Sequence, residues 1–143
     1  MLRTVRLAFV GILLSAAAGA ADTITLILNT DKGQHQLAAE LADTPAERAH
    51  GLMWREDFGA GDAMLFVFPE AAPRAFWMKD THVSLDIIFF ADDGSWINTH
   101  AHTTPFSTES LPSEAPARYV LELPAGTALK LGLGEGTYLK LPE

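Results

Sequence analysis

The chain has 143 residues, with 10 basic and 18 acidic side chains, a formal charge of −8 and no cysteine. The acidic balance disfavours nucleic acid and anionic lipid as partners, and the lack of cysteine excludes disulfide staples and a lipid anchor on a thiol. A chain of this size can hold one core without them.

The first segment, MLRTVRLAFVGILLSAAAGAADT, sets Arg3 and Arg6 ahead of the apolar run from Leu7 to Leu14 and closes on Ala18, Gly19 and Ala20. That is the layout of a secretory signal peptide, and its uncharged stretch is shorter than the roughly 20 residues a spanning helix needs. The expectation is a signal peptide over residues 1–20, cleaved after Ala20 or Ala21. A single domain over 21–143 follows, periplasmic or secreted and without a stable membrane anchor after cleavage. Without Arg3 and Arg6, 8 basic residues face 18 acidic ones, a net charge of −10.

TITLILN (23–29) alternates apolar and polar residues, TDKG is turn chemistry, and residues 34–41 return as a second strand, which predicts a hairpin. In DTPAERAHGLMWRE, Thr44 can cap a helix, Pro45 suits its first position, Glu47 completes a capping box and Gly51 can stop it. AMLFVFP (63–69) is too short and too rich in Phe and Val for a helix and predicts a buried strand. ADDG joins strands over 83–90 and 95–102. Residues 103–117 hold Pro105, Pro112 and Pro116 and predict a long surface loop, of the kind that is usually functional or mobile. ARYVLELP is a further strand, AGTALKLG a short helix stopped by Gly132, and GTYLKL a last strand. Seven or eight strands with two short helices make a sandwich or barrel pattern.

ERAHGLMWRE, AMLFVFPE, FWMKDT, LDIIFF, HTTPFSTESLPSEAPARYVLELPAG and LGLGEG, in this order, resemble the domain of unknown function 192 family of small bacterial and archaeal proteins. The resemblance runs from about Ile24 to Leu141. It implies a mostly β fold, an antiparallel β-sandwich or barrel of jelly-roll type with one or two short helices. It implies no activity, since none is assigned to the family.

Within AFWMKDTHVSLDIIFF (75–90), both faces of the strand after Val83 are apolar, so Asp86 is expected to be at least half buried. A buried carboxylate needs a partner. The guanidinium groups of Arg48, Arg55, Arg74 and Arg118 are the candidates, and a pair of Asp86 with one of them is the structural expectation. A pocket built from Arg48, Arg55, Arg74, Trp77, Lys79, Asp86 and Arg118 that clamps a ligand is the functional one. Asp80, His82, Ser84 and Asp86 could be taken for a triad on one strand. Alternate strand residues stand roughly 6.6 Å apart with parallel side chains, which excludes it. Asp80 and Thr81 are expected to form a turn, with Lys79 pointing out or shielding Asp86.

His100 and His102, two residues apart, could converge on one metal with a third ligand from His82, His35, His50 or Glu109. Exposed histidines at a strand end are the commoner outcome. Met53, Met64 and Met78 lie among apolar residues and are expected in the core rather than on copper. Core is the expectation for Trp77, with the border of a pocket as its alternative, and Trp96 is the tryptophan expected to be exposed. LGLGEG lacks the strand-to-helix setting of a nucleotide loop.

The functional expectation is a binding or accessory module of the cell envelope, taking an unknown small molecule, a glycan or an envelope protein, with no resident cofactor. The alternatives are a structural role through a protein partner and, last, a metal-assisted hydrolase using His100 and His102.

Overall fold

The structure, a computed structural model, describes residues 21–143. The signal peptide expected over residues 1–20 lies outside them. Among the described residues there are nine strands and two short helices: β1 (Thr23–Thr30), β2 (Gly33–Ala42), α1 (Pro45–His50), β3 (Met64–Ala72), β4 (Ala75–Phe76), β5 (Leu85–Phe90), β6 (Trp96–His100), β7 (Leu111–Pro112), β8 (Ala117–Pro124), α2 (Thr127–Leu131) and β9 (Tyr138–Lys140).

Seven strands form one sheet in the order β6-β5-β8-β3-β2-β1-β9, and β4 pairs with β7 in a small second sheet. The mostly β class with two short helices is as expected. One pairing departs from the antiparallel pattern: β2 runs parallel to β3, Glu40 opposite Met64 through Ala42 opposite Phe66. A parallel neighbour needs a long crossover, and residues 43–63, with α1 inside them, supply it.

The short helix forms as its residues dictate. The Thr44 side chain accepts from the Glu47 N–H, the Glu47 carboxylate accepts from the Thr44 N–H, and Pro45 opens the first turn. Those hydrogen bonds from Thr44 hold the Glu47 carboxyl below its ordinary value. The hairpin β1–β2 and the ADDG turn between β5 and β6 are present, the latter closed by a bond from the Gly94 N–H to the Ala91 carbonyl. The strand expected over 83–90 begins only at Leu85, and β6 ends at His100. Most of 103–117 is irregular, but Leu111–Pro112 pairs with Ala75–Phe76.

The sheet has an apolar cluster on each face. One gathers Leu26, Leu28, Leu65, Ile88, Phe90, Leu121 and Leu123, with Ala128 of α2 against it. The other gathers Phe66, Ile87, Phe89, Val120, Leu52, Phe58 and Met78. β5 contributes alternate residues to both, so all six are buried.

At one end the sheet curls until the two edges meet without closing a barrel. Ser95 bridges Tyr138, the Trp96 N–H donates to the Thr137 carbonyl, and the Leu139 N–H donates to the Gly94 carbonyl. Gly94 lies at φ 85, and a Cβ there would run into the Leu139 carbonyl oxygen. Gly94→Ala is therefore expected to cost about 2–4 kcal/mol in urea denaturation, from the left-handed backbone and the clash together. A loss within about 0.5 kcal/mol, the range of an indifferent surface site, would contradict that close approach.

Candidate functional site

A cleft of about 380 Å³ opens on the face of the second cluster, between α1 with the turn after it, β3, and the segment from Ala75 to Thr81. Its walls are apolar: Leu52 and Met53 from the turn, Phe66 and Phe68 from β3, Phe76 and Trp77 from the β4 segment. Arg48, His50 and Lys79 stand at its outer part, with Lys79 and Trp77 exposed and Arg48 half buried. Glu122 lies at its deep end, on β8 between Met64 of β3 and Ile87 of β5.

Glu122 was not among the residues expected to matter. Both neighbours of β8 use its backbone groups in ladders, and the two side chains flanking Glu122 are apolar. Its Oε2 is buried and has no hydrogen-bond partner among the described residues. Desolvation with no compensating donor pushes the carboxyl up to about 8. At neutral pH the group is therefore a carboxylic acid, a donor as well as an acceptor.

The cations at the mouth are free of counter-ions. Among the described residues the ion pairs are Arg55 with Glu40 and Asp57, His82 with Glu56, and Arg118 with Asp92, so neither Arg48, Arg74 nor Lys79 has a carboxylate within 4.0 Å. Arg48 donates to the carbonyls of Asp43 and, at 3.0 Å, Val67, which fixes its position and spends one of its nitrogens. Arg48 and Arg74 both lie over the Phe68 ring, at 5.1 and 3.8 Å from its centroid, and Lys79 lies 5.3 Å from that of Trp77. Burial, and after it the charge of Arg48, push the Arg74 guanidinium down from its ordinary value, while Glu70 opposes the shift.

Of the expected pocket residues, the structure thus brings Arg48, Trp77 and Lys79 to one cleft and leaves four outside its lining. Arg74 reaches it only through Phe68. Arg55 makes a bidentate pair with Glu40, both contacts at 3.0 Å, and bonds Asp57 at 2.9 Å. That pairing raises its pKa and pins the turn after α1 to β2. Arg118 binds Asp92 at 2.7 Å and the Phe68 carbonyl at 3.3 Å.

Asp86 corrects the expectation of an Arg partner. It is fully buried, and its oxygens accept backbone N–H groups, from His102 at 3.0 Å and from Ala128 at 2.9 Å. Helix α2 starts at Gly126 with no side-chain cap. Asp86 of β5 satisfies one of the orphan donors of its first turn from across the structure. The strand carries a carboxylate because a helix end and a turn need an acceptor.

The triad reading fails as expected. Asp80 lies in a turn at φ 52, the Ser84 hydroxyl donates to the Thr103 carbonyl at 2.6 Å, and His82 packs between Trp54 and Phe106 with ring centroids 5.8 and 4.7 Å away. In that turn, present as expected, the Thr81 hydroxyl donates to the Lys79 carbonyl.

His100 and His102, both inside the strand expected over 95–102, do not lie on one strand. β6 ends at His100, whose Nε2 is 2.8 Å from the Pro112 carbonyl, and His102 follows in a left-handed turn at φ 50. Both line a second, polar cleft of about 330 Å³ with Thr103, Thr104 and Glu109. Among the described residues no three His, Asp or Glu side chains are grouped to hold one metal.

Met64 and Met78 are core, and Met53 lines the cleft. Trp96 reverses its expectation, packing against the first cluster with its indole Nε1–H on the Thr99 hydroxyl at 2.9 Å, and Trp77 is not core but 49% exposed, while Trp54 is 63% exposed.

The family profile of the domain of unknown function 192 (DUF192), described as "Uncharacterized ACR", matches residues 27–141. Two solved structures are similar over nearly the whole fold. One, described as a proposed transcription regulator from Sinorhizobium meliloti 1021, shares 38% identity at a TM-score of 0.81, covering 86% of this chain and 96% of its own. The other, a protein of unknown function from Novosphingobium aromaticivorans DSM 12444, shares 34% identity at a TM-score of 0.80, covering 87% and 94%. No curated protein matches the chain.

Proposed function

The chain belongs to the DUF192 family of uncharacterised proteins, and from that premise we propose that it is a binding module whose cleft holds a small organic anion with an apolar or aromatic body. The observation that carries this reading is the make-up of the cleft. Aromatic and aliphatic walls lead from two cations without counter-ions, Arg48 and Lys79, to a buried acid, Glu122. Small-molecule sites combine apolar walls with a few polar groups that fix orientation, at volumes of this order.

The surrounding surface bears on the same point. The chain is acidic overall, so unpaired cations at a concave mouth are a local exception that draws a small anion while the rest of the surface repels a polyanion. That balance gives no support for carrying the description of the Sinorhizobium meliloti protein over to this chain. The setting we propose is the cell envelope, as an exported binding or accessory module. The leader-like order of Arg3, Arg6 and the apolar run supports it.

Titration with benzoate, followed by the fluorescence of the exposed Trp77 and by calorimetry, tests the reading. Saturable one-to-one binding is expected, weakened about tenfold or more in Arg48→Met, since a charge-assisted bond contributes about 1.5–3 kcal/mol. Absence of saturation up to about 5 mM, the range of the weakest specific sites, would overturn it.

A further inference from the structure

We propose that Glu122 is a specificity-determining residue of the cleft, its carboxyl O–H donating to an acceptor at the buried end of the ligand, so that the ligand is a small organic anion carrying a carbonyl-type oxygen opposite its charged end. The inference rests on the reading of the cleft as a small-anion site and deepens it.

Three observations carry it. Oε2 of Glu122 is buried and unpartnered among the described residues, and the Glu122 side chain lines a cavity that a ligand can enter. A buried polar atom without a partner is costly, about 1–3 kcal/mol, and a bound acceptor would remove that cost. The neighbouring strands cannot supply the partner, because Met64 and Ile87 flank the residue and the backbone groups of β8 are committed to its two ladders. The acid is also in its donating form near neutrality, since burial lifts it to about 8.

The remaining titratable groups that line the cleft are Arg48, His50 and Lys79. All are cationic or neutral, so they favour the ligand's negative charge toward the mouth and oppose an ammonium group bound beside an ionised Glu122. The ligand is then oriented by its two ends: charge outward, acceptor inward. A ligand lacking the inner acceptor leaves Glu122 unpaired and is discriminated against, as in sites built to pair a polar group.

Benzoate and 4-acetylbenzoate differ by one acetyl group, and their affinity ratio isolates Glu122 from Arg48, His50 and Lys79, which act on the shared carboxylate of both probes alike. In the unaltered protein at about pH 6, 4-acetylbenzoate is expected to bind about tenfold more tightly, the effect of one hydrogen bond. The ratio is expected to fall toward unity at about pH 9.5, where the ionised carboxylate no longer donates. Glu122→Gln keeps a donor and is expected to keep the preference at both pH values, whereas Glu122→Leu is expected to lose it at both.

Equal binding of the two probes by the unaltered protein at pH 6, or a preference that survives in Glu122→Leu, would overturn the proposal while leaving the small-anion reading intact. Failure of both probes to bind the unaltered protein would defeat both. If Glu122→Leu does not fold, the pH dependence of the ratio in the unaltered protein and in Glu122→Gln decides alone.

Discussion

Replacing Asp86 with alanine is expected to destabilise the fold by about 3–5 kcal/mol, one of the two largest effects expected. Two backbone donors, on His102 and Ala128, lose the charged acceptor that holds them. Each bond to a charged group contributes about 1.5–3 kcal/mol, the one from Ala128 being buried and the one from His102 part-buried. Leu85 and Ile87 on either side remain packed, so the damage is local to helix α2 and the turn after β6. Urea denaturation measures the loss, and faster amide exchange at His102 and Ala128 would place it. Asp86→Asn retains one acceptor oxygen and is expected to lose about half as much. A loss below about 1 kcal/mol for the alanine variant would mean that the helix end is satisfied in another way.

The second large effect is a pH profile. Glu122 has a folded value of about 8 against 4.5 for an unburied glutamate. Between those values the unfolded chain has released a proton that the folded chain retains. The contribution of Glu122 to stability is then greatest below about pH 4.5, falls as the pH rises, and levels off above about 8. At about 1.4 kcal/mol for each unit of difference, the whole fall is roughly 3–5 kcal/mol. The Glu122→Gln variant lacks this group, so the difference in stability between it and the unaltered protein is expected to grow in the variant's favour from about pH 5 to pH 9. Chemical denaturation across that range checks it. A difference that stays constant with pH would show that the carboxyl ionises in the folded protein as readily as in the unfolded one.

Asp86 and Glu122 also mark where the sequence could be read and where it could not. Local signals were legible because they act within a few residues: the Thr44 and Glu47 capping box, Pro45, the TDKG and ADDG turns, and Gly132 as a helix stop all appear in the structure. Asp86 was legible as a buried charge in an apolar strand, but its partner was not. The uncapped start of α2 at Gly126 lies some forty residues on, and only the pairing of β5 with β8 brings it near. An arginine seemed required because charges pair with charges, yet backbone donors at a helix end can do the same service.

Glu122 carried the same signal as Asp86, a carboxylate inside an apolar strand, ARYVLELP. Alternation puts it on the face of Val120, opposite Leu121 and Leu123, and that much could be read. That this face is roofed by α1 and the β4 segment could not, because the roof depends on the parallel crossover from β2 to β3. Arg55 and Arg118 stand in the sequence, like Arg48, as guanidinium groups within family-like stretches, which does not tell a free one from a paired one. In the fold both are occupied by carboxylates, while Arg48 and Lys79 are not.

On the proposed reading, a small anion binds in the cleft beneath Arg48 and Lys79. Backbone amide shifts recorded by NMR during titration with benzoate test it most directly, because they report place as well as affinity. Saturable shifts are expected, confined to the Arg48–Met53, Phe66–Phe68 and Phe76–Lys79 segments and to Glu122. Shifts centred on His100 to Thr104, or none that saturate, would contradict it.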